Sequence, residues 1–168
     1  AVGEIRKLTD LTDGSVEIVI SDTKAKFIFP NTILTTKLID GTFPDYTRVI
    51  PAGNDRIMQV EASSFSAAVD RVSTISSEKS RSVKMGLKPG VLTLSASNTD
   101  ASSATEELEV SYDGPEMDIG FNARYLLDIA GQVNNDIVEF ALADQGSPSL
   151  VRAPGDDASL FVLMPMRV

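Results

Sequence analysis

Apolar and polar residues alternate along most of this chain, and a period of two predicts β-strands. Val16, Ile18 and Ile20 give one short example. The segment Lys88-Pro89-Gly90 separates two such runs and is typical of a hairpin turn. Strands are predicted at residues 16–21, 25–29, 32–39, 57–61, 83–87, 91–97, 104–112, 117–121, 137–143, 149–152 and 160–164.

Two segments carry apolar residues at helical spacing instead. Helices are predicted at 63–77, with Ser63 as its N-cap, and at 122–133, with Asn122 as its N-cap. The opening residues, with Ile5 and Leu8, predict part of a third helix. The apolar stripes consist of Phe65, Ala68, Val69, Val72 and Ile75 in the first helix and of Leu126, Ile129, Ala130 and Val133 in the second.

The order of these elements repeats. Each helix is followed by three strands, and a further strand precedes each of the two complete helices. Such units can pair their sheets and bury both helices on one side, which predicts an α+β domain from about residue 52 to 168. Residues 1–45 hold only half of this design, so we expect a fragment of a domain or a segment that docks elsewhere. Pro44 and Pro51 stiffen the linker at 43–46.

The residue types present exclude several kinds of active site. The chain has no histidine and no cysteine, which rules out the usual nucleophilic triads, His- or Cys-ligated zinc and disulfides. Glu106 and Glu107 are neighbours on a predicted strand and point to opposite faces, so their carboxylates cannot converge on one metal ion. Asp156 and Asp157 suggest a solvated turn, and no phosphate-binding glycine loop occurs. We therefore predict no catalytic residue, metal or cofactor, with a carboxylate-dependent hydrolase as a remote alternative.

Charge and hydropathy limit the partners. The net charge of −9 by itself argues against tight binding of nucleic acid, because phosphate contacts need clustered Lys and Arg. No apolar run reaches the roughly 18 residues of a membrane span. The opening residues do not resemble a secretion signal.

The C-terminal segment suggests a binding surface. An apolar strand at 160–164 ends at Pro165, which cannot donate to a sheet, and Met164, Met166 and Arg167 surround that break. Methionine adapts to irregular apolar ligands, so these residues suit a groove for a peptide. The alternative is a C-terminal strand with a frayed tip.

Several segments together resemble the bacterial sliding clamp family, the beta subunit of DNA polymerase III. They are the connector Lys37–Pro51 with Gly41-Thr-Phe-Pro-Asp-Tyr46, the terminal Met164-Pro-Met-Arg167, the segment 120–128 and the segment 77–81. The resemblance covers essentially the whole chain but only the C-terminal part of a clamp protomer. It implies a DNA-clamp-like fold, with residues 1–45 as the second half of the middle domain and 46–168 as the C-terminal domain.

The resemblance also implies a function. Clamps are non-catalytic processivity factors in which two protomers encircle double-stranded DNA in the cytoplasm, at the nucleoid. They tether the catalytic subunit of the polymerase, the clamp loader and other proteins. Each of these partners carries a short peptide in which a glutamine is followed by apolar anchors of the leucine and phenylalanine type. The matching cleft residues are Pro44, Arg48, Val49, Tyr125, Val162, Met164, Pro165, Met166 and Arg167, and the candidate DNA-facing residues are Arg6, Lys7, Arg71 and Arg124.

Two features of this chain limit the resemblance. Ser80 stands where many clamps have a larger or aromatic residue, and the family's deep subsite lies in a half-domain outside this sequence. The loop at 146–149 is expected to border the cleft. The alternative function is an isolated peptide-binding module that does not itself encircle DNA.

Overall fold

The computed structural model describes residues 1–76, 81–98, 102–133, 135–156 and 158–167. The chain divides into two compact units, Ala1–Pro44 and Asp45–Val168. Predictions that involve residues 77–80, Asp157 and Val168 lie outside the described residues. None of the described helices has the length and apolar character needed to cross a membrane.

The first unit is one helix and one antiparallel sheet. Its elements are α1 (Val2–Asp10), β1 (Glu17–Ile20), β2 (Lys24–Phe29) and β3 (Thr32–Lys37), and the strand order is β1-β2-β3. Its buried apolar residues are Ala25 and Phe29, whereas α1 buries none. Ile18 and Ile20 form the predicted strand but remain exposed. The described first unit thus has only a small core.

The second unit contains two four-stranded antiparallel sheets and two helices. Its elements are a 3₁₀ turn (Tyr46–Arg48), β4 (Arg56–Glu61), α2 (Ala62–Ser73), β5 (Ser82–Lys88), β6 (Val91–Ser97), β7 (Ser103–Glu109), β8 (Met117–Asn122), α3 (Ala123–Ala130), β9 (Ile137–Leu142), β10 (Ser149–Arg152) and β11 (Phe161–Leu163). The sheet orders are β7-β6-β5-β8 and β11-β10-β9-β4. Each sheet therefore combines the three strands that follow one helix with the strand that precedes the other.

Hydrogen bonds at matching positions confirm the predicted repeat. The first helical N–H of α2, on Ala62, donates to the carbonyl of Asp136 at 2.8 Å, and that of α3, on Ala123, donates to Arg81 at 2.8 Å. Isolated bridges also join Gln59 to Ser111 and Gly120 to Met166, one in each repeat. The two strand–helix–three-strand units thus make equivalent contacts: the start of each helix bonds to the other unit, and one bridge closes each unit on itself.

The core lies between the helices and the sheets. Phe65 of α2 meets Phe140 of β9 edge-on, with ring centroids 5.4 Å apart, and both side chains are fully buried. Leu126 of α3 and Met85 of β5 belong to the same apolar cluster. Each such side chain contributes about 1.5–3 kcal/mol by leaving water.

The predicted ends of the first complete helix are wrong. Helix α2 is capped by Glu61, whose carboxylate accepts from the N–H groups of Ser63 at 3.0 Å and Ser64 at 2.6 Å, so Ser63 is not the cap. A charged carboxylate matches the positive end of the helix dipole. Helix α2 stops at Ser73, because Thr74 and the two residues after it bond three residues back, which tightens the last turn. Ile75 therefore lies beyond the helix.

The second complete helix and the hairpin follow the prediction more closely. The Asn122 side chain accepts from the N–H of Arg124 at 3.0 Å, which confirms the predicted cap. Helix α3 ends at Ala130, so Val133 lies beyond it and packs on the core from outside the helix. Lys88 pairs with Val91 across the predicted hairpin, and Gly90 has a φ of +77°.

Candidate functional site

The C-terminal segment crosses from one sheet of the second unit to the other. Strand β11 is an edge strand that pairs only with β10, and the chain then breaks from it before Pro165, as predicted. The N–H of Met166 donates to the carbonyl of Gly120 in β8 at 2.7 Å. Because β8 is an edge strand of the sheet β7-β6-β5-β8, this bond makes the chain end bridge the two sheets. The alternative of a frayed tip is therefore wrong as far as Met166.

Apolar side chains are exposed on this segment and on α3. Met164 is 61% exposed and Tyr125 is 57% exposed, while Leu163, the residue before Met164, is buried in the core. Val162, Pro165 and Met166 are half-buried. Exposed apolar residues that gather at one place mark binding surfaces more often than isolated ones do.

Three of the predicted residues line one groove with an estimated volume of about 1160 Å³, namely Pro165, Met166 and Arg167. The groove lies on the outward face of the sheet β7-β6-β5-β8. Gly146 also lines this groove, while the expectation that the loop at 146–149 borders the peptide cleft stays a prediction. That Tyr125, Val162 and Met164 border the same cleft stays a prediction. The sequence interpretation did not include the other charged and hydroxyl residues of the groove, among them Ser82, Lys84, Ser95, Thr105 and Asp118.

The connector residues lie around a single turn of 3₁₀ helix. Asp45 caps this turn by accepting from the N–H of Thr47 at 3.2 Å, and it also pairs with Arg48 at 3.0 Å between Nε and Oδ2. The Arg48 side chain remains 84% exposed, and Val49, which follows the turn, is 59% exposed. Pro44 is the last residue of the first unit. Asp45 thus orients Arg48 while leaving its guanidinium accessible.

Most of the predicted DNA-facing cations are paired with carboxylates on their own unit. Arg71 of α2 donates to both carboxylate oxygens of Glu106 in β7. This pairing raises the pKa of Arg71 through the hydrogen bonds from its side chain, and the same bonds lower the pKa of Glu106. Arg124 lies 3.8 Å from Asp128 within α3.

The pattern continues in the first unit. There Lys7 lies 3.0 Å from Glu4, and Arg6 is exposed. Since most of these charges are balanced locally, the helices present little uncompensated positive charge to a phosphate backbone.

The most buried carboxylate has a structural environment. Glu139 is only 7% exposed and accepts from Gln59 at 2.8 Å and from Arg152 at 2.9 Å. Burial by itself raises its pKa, but the hydrogen bonds from Gln59 and Arg152 and the charge of Arg152 outweigh burial and lower it. A carboxylate kept ionised by a fixed cation is unsuited to general acid–base catalysis near neutral pH.

Glu106, Glu107 and Asp156 occupy strand and turn positions. Glu106 pairs with Leu94 and Glu107 with Thr93 across β6 and β7, which places them on opposite faces as predicted. Asp156 accepts from the N–H of Ala158 at 2.8 Å in a turn, while Asp157 lies outside the described residues. In the described part of the chain, no three acidic side chains gather where they could hold a metal ion.

Comparison with known families assigns this architecture. The family model for the C-terminal domain of the DNA polymerase III beta subunit matches residues 47–167. The chain belongs to this family. The family model for the central domain of the same protein matches residues 1–45.

Similar proteins are bacterial sliding clamps. The beta sliding clamp of Caulobacter vibrioides is 49% identical over 99% of this chain, which covers 45% of that relative. That of Pseudomonas aeruginosa is 37% identical over 98% of this chain, again 45% of the relative. The chain therefore spans less than half the length of these relatives.

Solved clamps share the fold. The sliding clamp of Bartonella birtlesii bound to griselimycin has a TM-score of 0.92 and 49% identity, over 99% of this chain and 45% of that one. A Pseudomonas aeruginosa sliding clamp with a ligand has a TM-score of 0.93 and 36% identity, over 99% of this chain and 46% of that one. These likenesses confirm the predicted clamp-like α+β fold.

Proposed function

We propose that this chain acts as the C-terminal part of a bacterial sliding clamp, a non-catalytic processivity factor for DNA polymerase III. Residues 1–45 would supply the second half of the middle domain and residues 46–168 the C-terminal domain. The exposed apolar residues of the first unit, such as Ile18, Ile20 and Ile33, support its assignment as half a domain that is covered by another. Tethering would act by making each rebinding of the polymerase intramolecular.

The observation that carries the proposal is the anchored chain end with its exposed apolar side chains. The bond from Met166 to Gly120 fixes the backbone, while Met164 and Tyr125 present apolar surface to a ligand. A fixed backbone reduces the entropy lost on binding, and apolar anchors supply most of the affinity for short peptides. Arg48 and Arg167 would fix the register of the bound peptide through their polar groups.

The proposed partners are the catalytic subunit of the polymerase, the clamp loader and other proteins with a short clamp-binding peptide. In the full-length protein two protomers would close around double-stranded DNA in the cytoplasm. Arg6, Lys7, Arg71 and Arg124 are the proposed inward-facing cations. The local pairing of Lys7, Arg71 and Arg124 fits a ring that retains DNA by topology, because strong phosphate contacts would hinder sliding.

Peptide binding can be tested on this chain directly. Fluorescence anisotropy with a labelled glutamine–leucine–phenylalanine peptide should show saturable binding. Met164→Ser should weaken this binding by about tenfold, because it removes one apolar side chain of the protein that contacts the peptide. Ile57→Ser is the matched control, since Ile57 is 37% exposed in the same unit and lies on β4, at the opposite edge of the sheet from β11. Equal affinity of both variants and the parent chain would contradict the cleft assignment.

The paired helix cations are equally compatible with a second candidate, a peptide-binding module that never encircles DNA. The two functions differ in one experiment on the full-length protein. A ring should remain on circular DNA through a high-salt wash and be lost when the DNA is cut. Loss from both forms would favour the isolated module.

A further inference from the structure

A groove leads away from the cleft across the outward face of one sheet. Register places Gly120, Lys84, Ser95 and Thr105 side by side on β8, β5, β6 and β7, and the bridge from Gly120 adds Met166 to the same row. All of these residues line the groove. The groove therefore begins at the chain end that bounds the proposed cleft and runs across the strands to the far edge of the sheet.

The chemistry of the groove differs from that of the cleft. Its floor is formed by small hydroxyl side chains, including Ser95 and Thr105, and two cations line it, Lys84 and Arg167. Among the described residues that line it, one is acidic: Asp118, which lies 3.2 Å from the ammonium of Lys84. The described lining thus carries one more positive than negative charge, on a protein whose net charge is −9.

We propose that this groove binds an acidic segment that flanks the apolar anchors of the partner peptide. The inference rests on the proposed peptide-binding function and extends it to residues outside the anchor motif. Met166 and Pro165 lie at the junction, so a peptide held beside Met164 continues onto the sheet without leaving the protein. Carboxylates of the segment pair with Lys84 and Arg167, while the hydroxyl groups donate to its backbone carbonyls.

A peptide fits these observations better than a nucleic acid does. Phosphate backbones are bound by stripes of several Lys and Arg, whereas the described lining of the groove offers two cations with one opposing carboxylate. Two ion pairs at a partly exposed surface are sufficient to select acidic flanks.

The test compares peptides of one anchor motif with different flanks. Three labelled peptides carry the same anchors with three acidic residues, three serines or three lysines added, at either end in separate series. The acidic peptide should bind about three- to tenfold more tightly than the serine peptide, and the gain should shrink at high salt, because exposed pairs are weak and screened. The lysine peptide should bind less tightly than the serine one.

Variants of the protein locate the effect. Lys84→Ser should remove most of the gain from acidic flanks and leave the affinity for the serine peptide unchanged. Lys88→Ser is the matched control, since Lys88 lies on the same strand and face but outside the groove lining. Asp118→Asn should increase the gain, because it removes the opposing carboxylate and releases Lys84. A gain in affinity cannot arise from misfolding.

Each outcome bears on a defined claim. No gain from acidic flanks at either end, with normal binding of the serine peptide, overturns the groove proposal and leaves the cleft intact. Failure of every peptide to bind overturns both. Weaker binding of duplex DNA by Lys84→Ser, with no change for acidic peptides, would assign the groove to nucleic acid instead.

Discussion

Deletion of residues 164–168 should abolish peptide binding while leaving the second unit folded. The deletion removes the bond from the N–H of Met166 to the carbonyl of Gly120, worth about 1 kcal/mol net. It also removes two half-buried side chains, Pro165 and Met166, which together contribute about 2 kcal/mol. Met164 is 61% exposed and adds little to stability. The expected loss of about 3 kcal/mol is smaller than the 5–15 kcal/mol of a typical domain.

Two assays on the same preparation separate folding from binding. Far-UV circular dichroism in increasing urea should show a cooperative transition at a lower midpoint with an unchanged slope. Anisotropy with the glutamine–leucine–phenylalanine peptide should show no binding, whereas Met164→Ser, which preserves the Met166 bond, should bind weakly with nearly the parent midpoint. Undiminished peptide affinity in the deletion would refute the cleft assignment. Complete unfolding would refute the stability argument, and the single substitution would then test binding alone.

Three further predictions concern charge, backbone and pH. Glu106→Gln should free Arg71 and strengthen duplex DNA binding, with a salt dependence steeper by about one counterion. Glu107→Gln, on the opposite face of the strand, is the control and should change DNA binding less. Equal filter-binding curves for the two variants would contradict this prediction. Gly90→Ala should lower the free energy of unfolding by about 1 kcal/mol in urea titrations, because Gly90 has a φ of +77° in the hairpin. The hydrogen bonds that Glu61 accepts from Ser64 are the main reason why its pKa is lowered from 4.5 to about 2. The contribution of Glu61 to stability is therefore full above pH 4.5 and is lost as the pH falls toward 2. Urea midpoints should decline less over that interval in Glu61→Gln than in the parent chain.

The sequence predicted the kinds of elements and their order because period and caps are local properties. Asn122 before an apolar stripe identified the start of α3, and alternation identified β6 at its full length. Helix ends were less predictable. The apolar stripe continues to Ile75, but the backbone tightens after Ser73, where Thr74 and Ile75 are β-branched and less suited to a helix interior.

Strand partners could not be predicted from alternation. The pattern of Arg56–Glu61 shows which face is buried, but not that β4 pairs with β9 of the other repeat. Strand β7 was predicted to reach residue 112, yet it ends at Glu109 because Ser111 pairs with Gln59 instead. Such long-range bonds, one between the repeats and one within the first repeat, join segments far apart in sequence, and no local pattern encodes them.

The candidate site was only partly predictable for a similar reason. Met164, Pro165 and Met166 formed a recognisable break after an apolar strand. Lys84 and Asp118 had no such signal, since outward polar residues on a strand usually form an ordinary solvated face. Their significance appears only when the chain end is bonded to β8 and the groove across the sheet is formed.

Methyl NMR of the five methionines tests the central claim most directly. Met58 and Met85 are fully buried and Met117 is nearly so, whereas Met164 is exposed and Met166 half-buried at the chain end. Titration of methionine-methyl-labelled protein with the glutamine–leucine–phenylalanine peptide should shift the signals of Met164 and Met166 in a saturable manner. The signals of Met58 and Met85 should stay in place. Saturable binding that leaves Met164 and Met166 unshifted would contradict a peptide-binding cleft at the chain end.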